Sequence, residues 1–189
     1  MKYYTIIAGV NGVGKSTMTG LLTTQLHNMG IILDADIISR NQRQGSIISS
    51  GKAVLKKIDE CLEKRICFTQ ETTLAGHSIL KTVQRASSLD YLIRLYYVGV
   101  GSVEESLKRI KNRVEKGGHN VPEMDVRRRY ENRFTSLLNV LPYCNQAFFF
   151  DNENGFVQVA QYSNGNLICQ GDYQPQWVKE LKRLTEAYA

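Results

Sequence analysis

The sequence predicts an α/β fold, a mostly parallel sheet with helices on both faces, and three observations predict it. Apolar runs of strand length alternate with segments of helical spacing from Tyr3 to Phe150, as in an open sheet wound by crossover helices. Between the first run, Tyr3-Tyr4-Thr5-Ile6-Ile7-Ala8, and the first helix lies Gly9-Val10-Asn11-Gly12-Val13-Gly14-Lys15-Ser16, which satisfies G-x-x-x-x-G-K-[ST] at every fixed position. Further on, two helical segments flank Gly117-Gly118 as a hairpin. Together these describe a P-loop NTPase three-layer sandwich with a helical-hairpin lid over about 102–141, a C-terminal β-hairpin plus helix, and a single domain over 1–189.

The elements follow in order. A helix runs from Gly14 to about His27, and Gly30-Ile31-Ile32-Leu33 is a short buried strand ending in Asp34-Ala35-Asp36. Ile47 to Lys64 has helical spacing, with Val54, Leu55, Ile58, Cys61 and Leu62 on one face. Ile66-Cys67-Phe68-Thr69 reads as a third strand that stops at Gln70-Glu71, Ser78 to Ser88 as a helix, and Leu92 to Val100 as a fourth strand. Ser102-Val103-Glu104-Glu105 is a capping box opening a helix to about Lys116. Pro122 opens the next, reaching about Leu141. Phe148-Phe149-Phe150 is a fifth strand ending at Asp151. Phe156 to Tyr162 then pairs with Leu167 to Gln170 through Asn164-Gly165, a type I′ turn signal, and Gln176 to Tyr188 closes as a helix.

Composition bounds the function classes. With 189 residues the chain can bury a core without metals or disulfides. Cys61, Cys67, Cys144 and Cys169 form no C-x-x-C pair and the three histidines are scattered, so a structural zinc site is not expected and the thiols are expected free. No signal peptide is visible and no run approaches 18 apolar residues, so a cytoplasmic protein without a membrane partner is expected. The net charge is +6, and Arg109 to Arg133 alone holds eight basic residues against four acidic ones. Such a cluster suits a lid closing over phosphates as well as a nucleic-acid surface; nucleic acid is not expected as a partner.

The loop fixes the ligand class. Its glycines let backbone N–H groups and the helix start face an anion, so Gly9, Val10, Asn11, Gly12, Val13, Gly14, Lys15, Ser16 and Thr17 are the candidate nucleotide-binding residues. Lys15 suits the β- and γ-phosphates, and the Ser16 hydroxyl suits the Mg²⁺ that accompanies ATP or GTP. Asp34, Asp36 and Glu71 end neighbouring strands, which in such a sheet converge on the crevice beside the loop. That suits phosphoryl transfer to a hydroxyl, with Asp36 as base, Glu71 on metal or substrate, and arginines neutralising the transferred group. Asp34 and Asp36 also read as a polar turn, Glu71 as a solvated strand end, and Arg127, Arg128 and Arg129 point about 100° apart and cannot all face one phosphate. His119 is either a ligand contact or a hinge residue, and the tyrosines and Trp177 read as packing.

The residues Ala8 to Thr17, Asp34-Ala35-Asp36-Ile37, Glu71-Thr72-Thr73-Leu74-Ala75-Gly76, Arg113 to Pro122 and Arg128-Arg129-Tyr130 resemble the zeta toxin family over roughly residues 4 to 152. The resemblance implies the fold of small-molecule kinases and a reaction in which ATP and Mg²⁺ serve to phosphorylate the 3′-hydroxyl of the amino sugar in UDP-N-acetylglucosamine. It implies that Lys15 and Ser16 bind nucleotide, that Asp36 is the base, and that Glu71, Thr72 and Thr73 approach the sugar. It also implies that lid arginines clamp the γ-phosphate, Arg113 being one and either Arg128 or Arg129 the second. Several members are longer, and neither toxicity nor an antitoxin partner is implied by the sequence. The rival readings are a nucleotide or polynucleotide kinase and a non-catalytic ATP-binding interaction module.

Overall fold

The computed structural model describes residues 1–35, 47–76 and 78–188. Seven strands form one sheet: β1 (Tyr3–Ala8), β2 (Ile31–Leu33), β3 (Phe68–Thr72), β4 (Leu92–Gly99), β5 (Gln146–Asp151), β6 (Val157–Ser163) and β7 (Asn166–Cys169). Their order is β2-β3-β1-β4-β5-β6-β7, parallel from β2 to β5 and antiparallel from β5 to β7. The strand β1 is central and loses water on both faces, which is why it reads as an uninterrupted apolar run.

The helices are α1 (Lys15–Gln25), α2 (Ile47–Glu63), α3 (Ser78–Ser88), α4 (Val103–Glu115), α5 (Glu123–Glu131), α6 (Arg133–Val140) and α7 (Gln176–Tyr188). Alternation along β1 splits the core in two. Ile7 packs with Met18 and Leu22 of α1, Val98 and Tyr96. Tyr4, Ile6 and Ala8 pack on the other face with Ile58 of α2, Val83 of α3, Leu137 of α6 and Trp177 and Leu181 of α7. Helices on both faces of a mostly parallel sheet are the predicted three-layer α/β sandwich.

Several predicted boundaries move, two of them instructively. The third strand starts at Phe68 and continues through Gln70 and Glu71 to Thr72. Ile66 and Cys67 instead belong to the turn that ends α2, where the Ile66 N–H donates to the Cys61 carbonyl at 3.1 Å and the Tyr91 hydroxyl to the Ile66 carbonyl at 2.9 Å. The second lid helix is not continuous to Leu141. Asn132 interrupts it at φ −94°, ψ 13°, its side-chain amide donating back to the Arg128 carbonyl at 2.9 Å, the local competition for helix carbonyls that asparagine offers. The first half, α5, lies against α4, while α6 buries Phe134, Leu137, Leu138 and Val140 in the main core. The capping box forms only in half. Ser102 accepts the Glu105 N–H at 3.2 Å, but the Glu105 carboxylate is taken by Arg109 one turn on.

All four cysteines are free. Among the described residues, no helix is long and apolar enough to cross a membrane.

Candidate functional site

The parallel register brings the carboxyl ends of the strands together along one edge: Ala8 lies opposite Thr72 and Ile7 opposite Glu71, while Leu33 lies opposite Gln70 and Gly99 opposite Asp151. The loop from Gly9 to Gly14 leaves β1 at this edge and turns into α1. Gly9 sits at φ 141°, and a Cβ there would meet the Val98 carbonyl oxygen at 2.2 Å, so only glycine lets β1 and the loop approach β4 this closely. A Cβ at Gly12 would meet the Ser106 carbonyl at 2.6 Å, which shows how tightly α4 covers the loop.

Lys15 and Ser16 begin α1, with Gly14 as its N-cap in the left-handed region. The Lys15 ammonium donates to the Val10 carbonyl at 3.0 Å, arching over the loop. Thr17 is exposed on the first turn. The Ser16 hydroxyl donates to Oε1 of Glu71 at 2.8 Å, and Thr19 Oγ1 lies 2.9 Å from its Oε2. The structure thus joins Ser16 to Glu71, the two residues predicted at the metal. Their oxygen donors suit a hard cation such as Mg²⁺, which keeps several waters and shares its coordination with phosphates. Among the described residues, no group of three or more His, Cys, Asp or Glu could hold a metal unaided.

Asp34 follows β2 and is buried. Asp36 lies outside the described residues. Thr72 Oγ1 accepts the Leu74 N–H at 3.0 Å and shapes the turn after β3, in which Leu74 itself takes φ 57°, a sparsely populated region for a branched side chain. Thr73 faces a cavity of about 590 Å³ between this turn and the α5–α6 segment, lined also by Arg128, Arg129, Asn132, Arg133, Thr135 and Ser136.

The lid arginines separate by geometry. Arg129 reaches back to the phosphate loop, its NH1 donating to Asn11 Oδ1 at 2.7 Å. Arg128, one position earlier, is 68% exposed and pairs with Asp125 at 2.7 Å. Arg113 donates to the His119 carbonyl at 2.7 Å across the glycine hinge. Arg113 also lines a groove of about 390 Å³ with Arg109, Asn112, Lys116 and Gly118. Much of the basic cluster is neutralised in place: Arg109 pairs with Glu105, Arg127 with Glu104 and Glu123, Arg128 with Asp125, and Arg133 with Glu180. The own backbone N–H of Glu104 at the start of α4, and then Arg127, hold its carboxyl below the usual carboxylate range.

Two residues at this edge, Thr19 and Asn152, are not among those the sequence pointed to. Thr19 stands three residues after Ser16, a spacing that puts both hydroxyls on one helix face, and this signal was available. Asn152 donates to the Val13 carbonyl at 2.8 Å, and its own carbonyl accepts Arg109 at 2.6 Å. The meeting of Asn152 with Arg109, a member of the basic cluster, has no sequence signal, because it depends on where β5 ends relative to α4.

No family model matches the sequence. A protein of Haemophilus influenzae described as uncharacterized is 33% identical over 127 residues, which cover 65% of this chain and 88% of that protein. Among solved structures, a chain of the PezAT chromosomal toxin-antitoxin system of Streptococcus pneumoniae superposes with a TM-score of 0.64 at 15% identity, over 99% of this chain and 85% of the other. The AvrRxo1-ORF1:-ORF2 structure with ATP gives 0.62 at 14% identity, over 100% of this chain and 77% of the other. At these identities the two structures establish a shared fold.

Proposed function

Because this chain belongs to the family of that Haemophilus influenzae protein and has the fold of the zeta-toxin-like P-loop kinases, we propose that it is an ATP-dependent kinase of a small-molecule hydroxyl. The 3′-hydroxyl of UDP-N-acetylglucosamine is the acceptor proposed first. One observation supports this above others: Arg129 touches the phosphate loop at Asn11 and also lines the 590 Å³ cavity. A single guanidinium thus borders both the anion cradle and a space of the size that a substrate needs.

In this reading the loop N–H groups and Lys15 hold the triphosphate, and Ser16 and Glu71 hold Mg²⁺, which supplies charge neutralisation on the phosphate oxygens. Thr73 and the α5–α6 wall seat the acceptor. Asp36 takes the hydroxyl proton as the acceptor oxygen bonds to the γ-phosphorus and the bond to ADP breaks, and Arg129 neutralises charge on the group in transfer. Arg113 comes from the hinge side as the second cation. The cavity-lining hydroxyls and arginines are suited to a polar, anionic acceptor, as a nucleotide sugar is. A second protein of antitoxin type enters only by analogy with PezAT.

The test offers ATP labelled at the γ-phosphate with UDP-sugars, nucleoside monophosphates and 5′-hydroxyl oligonucleotides in parallel. Label is expected on the UDP-sugar and absent with Asp36→Asn. Label on oligonucleotides alone gives the polynucleotide reading, and none on any acceptor with intact ATP binding leaves a binding module.

A further inference from the structure

Glu71 is joined to α1 by two hydroxyls rather than one, and the second belongs to a residue outside the loop motif. A carboxylate held through a single oxygen still swings about its last, broad torsion. Ser16 fixes Oε1 at 2.8 Å and Thr19 meets Oε2 at 2.9 Å, so the plane of the carboxylate is set. Thr19 is suited to this because it is itself held: its Oγ1 lies 3.0 Å from the Lys15 carbonyl one turn back, and the side chain is buried. With one proton and two acceptors, the hydroxyl bridges the helix backbone and the carboxylate.

We infer that Thr19 is a positioning residue for the metal half of the nucleotide site, fixing Glu71 so that its remaining lone pairs, together with the Ser16 oxygen, face an incoming hydrated divalent cation. This rests on the nucleotide-binding part of the reading above and is independent of the acceptor. The Ser16 hydroxyl can turn a lone pair to the cation while its proton stays on Glu71. Thr19 has no such freedom and serves only to orient. Partners of this outer kind change metal affinity by about 10–100-fold when removed.

The experiment titrates the purified full-length chain with ATP by calorimetry at graded Mg²⁺ concentrations, for wild type, Thr19→Val and Thr19→Ser. Thr19→Val keeps the shape and deletes the hydroxyl, and it is expected to raise the Mg²⁺ concentration for half-maximal ATP affinity about tenfold or more. Thr19→Ser restores the hydroxyl and is expected within about twofold of wild type. Should Thr19→Val lose its cooperative melt, Thr19→Ala carries the same comparison. A wild-type Mg²⁺ dependence in Thr19→Val, or an equal shift in Thr19→Ser, overturns the inference, the second outcome assigning the residue to packing. If the shift occurs as expected while no acceptor is ever phosphorylated, the kinase reading fails and this inference stands.

Discussion

Asn152 donates its side-chain amide to the carbonyl of Val13, in the middle of the phosphate loop, at 2.8 Å. The same residue receives Arg109 from α4 on its own carbonyl and donates its backbone N–H to Gly99 at the end of β4. One residue beyond β5 therefore ties the anion cradle, through its side chain, to the lid, through its backbone carbonyl. Asn152→Ala removes one net hydrogen bond, worth about 0.5–1.5 kcal/mol. ATP affinity measured by calorimetry is expected to fall about two- to tenfold, and the melting temperature of the free protein to fall by a few degrees.

The two adjacent lid arginines should respond differently. Arg129→Ala deletes the cation that contacts Asn11 and is expected to lower kcat by about 10²-fold or more, as the loss of a guanidinium at a transferring phosphoryl group does. Arg128→Ala should act mainly through the KM of the acceptor, since Arg128 lines the cavity but pairs with Asp125 away from the loop. Steady-state kinetics of both variants check this, and equal losses in kcat would contradict it.

Trp177 is buried and donates from Nε1 to Oδ1 of Asp151 at 2.8 Å, while Asp151 also accepts Tyr173 OH at 3.2 Å and the Glu153 N–H at 3.0 Å. Trp177→Phe leaves a buried carboxylate one donor short, at a cost of about 1–3 kcal/mol. Urea unfolding is expected to show that loss.

Burial pushes the Cys144 thiol up to about 12 from its ordinary 9.0, and Tyr97 is raised by burial as well. The folded value lies above the unfolded one, so the stabilisation is complete below pH 9 and is lost as pH rises from 9 towards 12. Each pH unit in that window costs about 1.4 kcal/mol for a single such group. Unfolding free energies at pH 8 and 10.5 should differ by roughly 2 kcal/mol on this account, and Cys144→Ala should flatten the slope that begins near pH 9.

Much of the fold is legible because periodicity survives in the sequence. Ser78–Ser88 and Gln176–Tyr188 emerge with the predicted bounds, since each helix keeps one apolar stripe against the sheet. The shift of β3 traces to polar side chains that a buried strand can satisfy: Gln70 accepts the Tyr4 hydroxyl and Glu71 faces two hydroxyls of α1, so polarity did not end the strand. In the site, Lys15, Ser16 and Glu71 were readable from motif and strand end. The choice between Arg128 and Arg129 was not, because a rotation of about 100° per residue decides which one meets Asn11. The break at Asn132 was hidden for a related reason, since a single side-chain bond to the Arg128 carbonyl outweighs a helical pattern on either side.

The tether from Trp177 through Asp151 to Asn152 and Val13 also joins segments far apart along the chain. Damage to the helix that carries Trp177 should accordingly be felt at the nucleotide cradle, because loosening Asp151 disturbs its neighbour Asn152, whose side chain braces Val13.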